Sequence, residues 1–159
     1  MSLHQTSETA SGSQSDFDGA VQAYRERLNA FVKGDPKPVT ELFSRRDDVT
    51  LANPVEPVGR GPVEVAKLAA EAAAQFSEGA MRRIEEVSRY STPDLGYVVQ
   101  IERADARLGG NGNVSPIALR VTMIFRREGD TWKVAHRHAD PIMTSRPITT
   151  VIETGTQAI

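Results

Sequence analysis

The chain has 159 residues, of which 39% are hydrophobic and 25% charged, and this size and composition predict one globular domain with a substantial core. A net charge of -2 offers no cationic field for a nucleic-acid backbone, and the lack of cysteine excludes disulfides, thiolate nucleophiles and cysteine-based zinc sites. Neither a signal-peptide pattern nor the roughly twenty apolar residues of a membrane span occurs, so we expect a cytoplasmic protein with no membrane or nucleic-acid partner.

The N-terminal part of the chain divides into a polar segment and an amphipathic helix. Residues 1–14 contain almost nothing apolar, so we predict a disordered tail that includes His4. Ser15 and Asp16 form a plausible helix cap. Beyond it, apolar residues recur at three- and four-residue steps and predict one buried helix face, made of Phe17, Ala20, Val21, Tyr24, Leu28, Phe31 and Val32.

Two further helices and a short strand are predicted in the next part of the chain. Proline suits a first helical turn, so a short helix is expected from Pro38 through Phe43. The alternation in residues 49–53 predicts a strand, and the loop E-P-V-G-R-G-P that follows predicts turns. The alanine-rich run from Pro62 predicts a third helix that ends before Gly79.

After Gly79 the sequence becomes typical of strands. Four segments are rich in Val, Ile, Tyr and Thr: residues 81–90, 95–108, 117–127 and 131–139. Short turns separate them and favour antiparallel neighbours. The order of elements therefore predicts an α+β fold in which helices pack on one face of a bent antiparallel sheet.

The last predicted strand, W-K-V-A-H-R-H-A-D-P, holds two of the three histidines. In a regular strand His136, His138 and Asp140 share a face with Trp132 and Val134, whose apolar character indicates burial. This alternation predicts a stripe that runs from the core toward a pocket, and whether its polar end faces that pocket or a second subunit stays open.

Three interpretations of His136, His138 and Asp140 remain open. One histidine could act as a general acid or base, with Asp140 orienting it, because imidazole titrates near neutral pH. The three could bind a metal, but alternate residues on a straight strand stand about 6 to 7 Å apart and converge poorly, so we predict no metal and no cofactor. The residues could also only end the strand.

Other polar side chains are secondary candidates. Arg103 shares a strand face with Tyr97, Val99 and Ile101, opposite Gln100 and Glu102. If the apolar face lines a pocket, Arg103 lies at the pocket edge and could bind a substrate oxygen; the alternative is a cross-strand ion pair. By the same alternation Arg120 and Thr122 belong to the outer face, where a dimer interface is expected.

Three phrases in this order behind an amphipathic helix, E-L-F-S-R-R-D-D-V-T-L-A-N-P, I-A-L-R-V-T-M-I-F-R-R and W-K-V-A-H-R-H-A-D-P, resemble the SnoaL-like branch of the nuclear transport factor 2-like superfamily. The resemblance covers residues 15–142 and leaves residues 143–159 as a C-terminal extension. It implies a cystatin-like α+β roll, in which a cone-shaped, curved antiparallel sheet packs on about three helices around a mostly apolar pocket. It also implies a homodimer through the outer sheet face.

The resemblance extends to the ketosteroid isomerases, but their catalytic residues are not retained. Their general base is an Asp before a Pro, where this chain has Asn53, and an amide cannot shuttle a proton. Their oxyanion hole uses a Tyr and a protonated carboxylic acid, an arrangement that is itself a standard example of pKa tuning. At those positions this chain has Arg27, with Tyr24 one turn earlier, and Val121 or Thr122.

Two functions follow as expectations. The first is a cofactor-independent lyase or isomerase, of dehydratase or cyclase type, acting on a hydrophobic or polyketide-like substrate. Its catalytic candidates are His136, His138 and Asp140, and its substrate-binding candidates are Asn53, Arg103, Tyr24 and Tyr97. The second is a noncatalytic module that uses the same fold to bind a small hydrophobic molecule or to dimerise.

Overall fold

The computed structural model describes residues 6–110 and 112–153. Within them lie three α-helices, six strands and one 3-10 helix. The bounds in chain order are α1 Thr6–Phe31, α2 Lys37–Thr40, β1 Thr50–Ala52, β2 Gly59–Arg60, α3 Pro62–Ala73, β3 Phe76–Ser91, β4 Leu95–Leu108, β5 Ser115–Glu128, β6 Thr131–Asp140 and the 3-10 helix Ile148–Val151. No helix in this described part is long and apolar enough to cross a bilayer.

The six strands form one curved sheet in the order β2-β1-β6-β5-β4-β3. Strands β3 to β6 are an antiparallel meander, and β1 joins it in parallel with β6, pairing Leu51 with Arg137. The predicted α+β fold is therefore confirmed, with the helices on the concave face of the sheet. That concave face and the helices enclose the hydrophobic core.

Helix α1 packs on the sheet through the apolar face that its periodicity predicted. Phe17, Val21, Tyr24 and Leu28 are all buried, and the ring of Phe17 contacts Phe125 edge to face at 5.6 Å between centroids. Large aromatic side chains contribute much of the apolar area that a core removes from water. These contacts hold α1 across the meander.

Several predicted boundaries differ from the observed ones. Helix α1 begins at Thr6 rather than at the predicted cap Ser15, because the polar residues before the cap continue the helix. Residues 1–5 of the predicted tail, which include His4, lie outside the described residues. Helix α3 ends at Ala73, and Phe76 already belongs to β3.

Part of the loop that was predicted as turns forms strand β2. Gly59 pairs with Leu51 of β1, and glycine is required there because an added Cβ would meet the Leu68 side chain of α3. A two-residue strand leaves no periodic signal in the sequence. Only the pairing with β1 defines it.

A β-bulge in β6 reverses its predicted faces. Ile124 pairs with His136 and Phe125 with Val134, so Ala135 is an extra residue that interrupts the alternation. Trp132 and Val134 point into the core as predicted, whereas beyond the bulge Arg137 and Ala139 are the buried residues. The prediction that the histidines continue the buried face is therefore wrong.

Candidate functional site

A cavity lies between the three helices and the β1–β6 end of the sheet. It contains about 300 Å³ of empty space when the part that is open to solvent is included. Its walls are mostly apolar, and they are formed by Tyr24, Leu28, Phe31, Val39, Phe43, Leu51, Asn53, Ala69 and Arg137. The cavity wall therefore combines apolar side chains with three polar ones, Tyr24, Asn53 and Arg137.

The cavity wall contains one buried charge, Arg137, which β6 places there because of the bulge at Ala135. Only 8% of Arg137 is exposed. Its Nη2 donates to Oε2 of Glu102 at 2.7 Å, and Glu102 is itself 6% exposed. Hydrogen bonds to the remaining polar atoms of such a pair help to offset the cost of removing both charges from water.

The ion pair continues into a buried polar chain, which we define as Arg137, Glu102, Gln100 and Arg25. Gln100 is fully buried and donates through Nε2 to Oε1 of Glu102 at 2.9 Å. Its own Oε1 accepts from Nε of Arg25 at 3.0 Å and from Nη2 at 2.8 Å. The chain thus connects the cavity wall on β6, through β4, to helix α1.

The guanidinium of Arg137 is only partly hydrogen-bonded. Its Nε is fully buried and has no hydrogen-bond partner among the described residues. Burial acts to lower the pKa of Arg137, but the charge of Glu102 and the adjacent Tyr24 outweigh this effect, so its pKa is raised and the guanidinium stays charged. The cavity wall therefore contains a guanidinium that is charged and paired with Glu102.

Tyr24 and Asn53, both predicted to bind substrate, line the cavity. Burial raises the pKa of the Tyr24 phenol against the opposing charge of Arg137, so this hydroxyl stays protonated near neutral pH. Asn53 donates to Oε2 of Glu56 at 3.4 Å. Both groups can form hydrogen bonds, and the Asn53 amide has no useful pKa for moving a proton.

The predicted catalytic residues lie on the convex face of the sheet, away from the cavity. Nδ1 of His136 is 2.7 Å from Oγ1 of Thr50, and burial together with the nearby His138 lowers the pKa of His136. His138 is exposed, and its Nε2 is 3.9 Å from Oδ2 of Asp140. The placement of these residues in a pocket was wrong, because the bulge at Ala135 moves them to the other face.

Asp140 is engaged by neighbours other than the histidines. It accepts from Arg120 at 2.8 Å and from the backbone N–H of Ile142 at 2.9 Å. Burial acts to raise the pKa of Asp140, but these hydrogen bonds outweigh it and hold the pKa below its usual range. In the part of the chain that the structure describes, no group of three or more His, Asp or Glu side chains could hold a metal ion.

Arg103 and Tyr97 also lie on the convex face, so their predicted place at the pocket edge was wrong. Arg103 donates to Oε1 of Glu85 at 2.7 Å, which is the ion pair that the sequence left as the alternative. Tyr97 stacks at a tilt on Tyr90, with 6.2 Å between ring centroids. The concave face of β4 instead carries Gln100 and Glu102. Arg25 donates a hydrogen bond to Gln100, and Arg137 donates one to Glu102.

Sequence reasoning did not identify Arg137 and Glu102 as site residues. The available signal was weak: Glu102 alternates with the apolar Val99 and Ile101, and Arg137 lies between two histidines. A buried arginine is found only with a partner, and no local pattern shows which acidic residue on another strand that partner is. The pairing of β4, β5 and β6 had to be known first.

The sequence profile of the SnoaL-like domain matches residues 20–144. Among proteins with curated functions, none is similar enough in sequence to match this chain.

Several solved structures share the fold. One is a proposed dehydratase of the nuclear transport factor 2-like family from Streptomyces avermitilis, at 24% identity and a TM-score of 0.67, with 82% of this chain and 96% of that chain covered. Another is a ketosteroid isomerase-like protein from Erwinia carotovora atroseptica, at 19% identity and a TM-score of 0.64, with 82% and 96% covered.

A third is a nuclear transport factor 2-like superfamily protein from Salmonella enterica, at 14% identity and a TM-score of 0.65, with 92% of this chain and 99% of that chain covered. At these identities the likeness shows the fold and not the activity. The profile match over residues 20–144 shows that the protein belongs to the SnoaL-like domain family.

Proposed function

We propose that this protein is a noncatalytic binder of a small, mostly hydrophobic molecule, which it holds in the cavity with an oxygen atom directed at Arg137. The observation that carries the proposal is the buried, charged Arg137 in a cavity wall that is otherwise mostly apolar. Apolar sites with a few placed polar groups are typical of ligand pockets, in which the polar groups fix the orientation of the ligand.

The cavity favours binding over the lyase or isomerase chemistry expected from the sequence. General acid or base catalysis needs a group that titrates near the working pH. The ionisable side chains that line the cavity in the described structure are Tyr24 and Arg137, and the pKa of each is raised further from neutrality. His136 and His138 are on the opposite face of the sheet.

A variant pair on α3 tests where the ligand binds. Ala69 lines the cavity, whereas its neighbour Ala70 is exposed on the same helix. A panel of small aromatic and aliphatic ketones, esters and amides is screened by thermal shift and ligand-observed NMR. We expect Ala69→Leu to fill the cavity and weaken every hit by about tenfold or more, and Ala70→Leu to bind like the parent.

The same panel separates binding from catalysis. Hits are incubated with the protein and followed by NMR for loss of water, isomerisation or ring closure. We expect each hit to be recovered unchanged. Conversion that is lost in Ala69→Leu but kept in Ala70→Leu would contradict a noncatalytic role and restore the lyase or isomerase hypothesis.

A further inference from the structure

The charges around the cavity are already balanced before a ligand enters. Arg137 is matched by Glu102 at 2.7 Å. Arg25, at the other end of the buried polar chain, forms a salt bridge with Glu86 at 2.7 Å. Outside that chain, Arg89 forms a salt bridge with Asp18 at 2.6 Å. The positive charge of Arg137 is therefore not free to neutralise an anionic ligand.

The unused capacity at Arg137 is a hydrogen bond rather than a charge. Nη2 of Arg137 donates to Glu102, and Arg137 lines the cavity. A guanidinium has five N–H groups, so a neutral carbonyl oxygen can accept from another of them and leave the ion pair intact.

A ligand with a carboxylate group would change the charge balance at Arg137. It would share one guanidinium with Glu102, which puts two anions beside one cation in a wall that is otherwise apolar. Like charges repel more strongly where the dielectric is low, and each buried ion must also give up its hydration. Glu102 is held by Gln100 and cannot move away to make room without losing that hydrogen bond.

We infer that Glu102 is a specificity-determining residue that makes the cavity select neutral, carbonyl-bearing ligands and reject carboxylates of the same shape. This inference rests on the proposed function and names the ligand class for the same cavity. Glu102 acts through Arg137, because it is Arg137 and not Glu102 that lines the cavity. Ketones, esters and primary or secondary amides are the ligands that meet this requirement.

A shape-matched pair of probes tests the inference. 3-Phenylpropanamide and 3-phenylpropanoate have the same skeleton and differ in charge, and 4-phenylbutan-2-one serves as a second neutral probe. Dissociation constants are measured at pH 7.5 by titration calorimetry or NMR on the parent and on Glu102→Gln. The parent should bind the amide about tenfold or more tightly than the carboxylate.

The Glu102→Gln variant should shift this preference toward the carboxylate by about tenfold, because Arg137 then has an unmatched charge. A merely structural role for Glu102 would weaken both probes together and leave their ratio unchanged. Glu26→Gln is the matched control, since Glu26 is exposed on α1 and its loss changes the net charge equally. It should keep the parent ratio.

The outcomes distinguish the two proposals. If the parent binds the carboxylate as tightly as the amide, the inference is overturned while the proposed function stands. If no neutral carbonyl probe binds at all, the proposed function fails and the inference fails with it. If Glu102→Gln does not fold, the ratio measured on the parent alone still decides.

Discussion

Arg137 on β6 and Glu102 on β4 form a buried ion pair across β5, with 2.7 Å between Nη2 and Oε2. Both side chains are withdrawn from water, and Gln100 supplies the second hydrogen bond to the carboxylate. Removing both charges of such a pair is often tolerated, whereas removing one leaves an uncompensated buried charge. The stability of the core and the chemistry of the cavity thus depend on the same two residues.

The first prediction concerns this pair. Arg137→Met should lower the free energy of unfolding by about 3–5 kcal/mol, because Glu102 is left buried without its cation. The double variant Arg137→Met with Glu102→Gln should recover a large part of that loss. Urea unfolding of the parent, both single variants and the double variant measures the coupling. Strictly additive costs would contradict a buried, coupled pair.

The second prediction compares two glycines. A Cβ at Gly79 would overlap the backbone carbonyl of Val32, which cannot move without disturbing the end of α1. Gly79→Ala should therefore lower the free energy of unfolding by about 3 kcal/mol or more. Gly19 lies on the exposed side of α1 with nothing near its Cβ position, so Gly19→Ala should raise stability by about 0.5–1 kcal/mol. Equal effects at the two sites would contradict this packing of α1 against β3.

The third prediction concerns pH. The pKa of His136 in the folded protein is lowered from 6.5 by burial and by His138, so the unfolded chain binds a proton at higher pH than the folded one. Its contribution to stability is complete above pH 6.5 and is lost as the pH falls through that value toward the folded pKa. The free energy of unfolding of His136→Gln should therefore fall less than that of the parent when the pH is lowered from 7 to 5.

This pH window separates His136 from the carboxylates. Carboxylates such as Glu86 and Asp140 have ordinary pKa values of 4.5 and 3.8, and folding lowers both. They therefore affect the free energy of unfolding at a lower pH than His136 does. Denaturant melts at closely spaced pH values provide the measurement. An unchanged slope in His136→Gln would show that this imidazole is not responsible.

The fourth prediction is the homodimer that the resemblance implies. The convex sheet face carries partly exposed apolar residues, including Ile101 and Ile124, and none of them lines the cavity. We expect light scattering to give the mass of two chains, and Ile101→Glu to give the mass of one. Val55→Glu, on an exposed loop, is the control and should leave the mass unchanged. A monomeric parent would refute this interface.

Local sequence pattern was sufficient for much of the fold. The periodicity of α1 identified its buried face, and the segments rich in β-branched and aromatic residues located β3 to β6 to within a few residues. Turn residues between those strands indicated the antiparallel order. Tyr24 and Asn53, which were expected to bind substrate, both line the cavity, and their binding of a substrate stays a prediction.

The sequence by itself determined the α+β class, the order of the main elements and the family. These depend on periodicity and on short motifs, which are formed by residues close together in the sequence. Only the tertiary structure decided which face of β4 and of the end of β6 is buried. The bulge at Ala135 arises from the pairing of β6 with β5, and Glu102 is tolerated inside because Arg137 and Gln100 meet it there. Both facts depend on residues distant along the chain, so the histidines predicted for the pocket lie outside it and the arginine between them lies within.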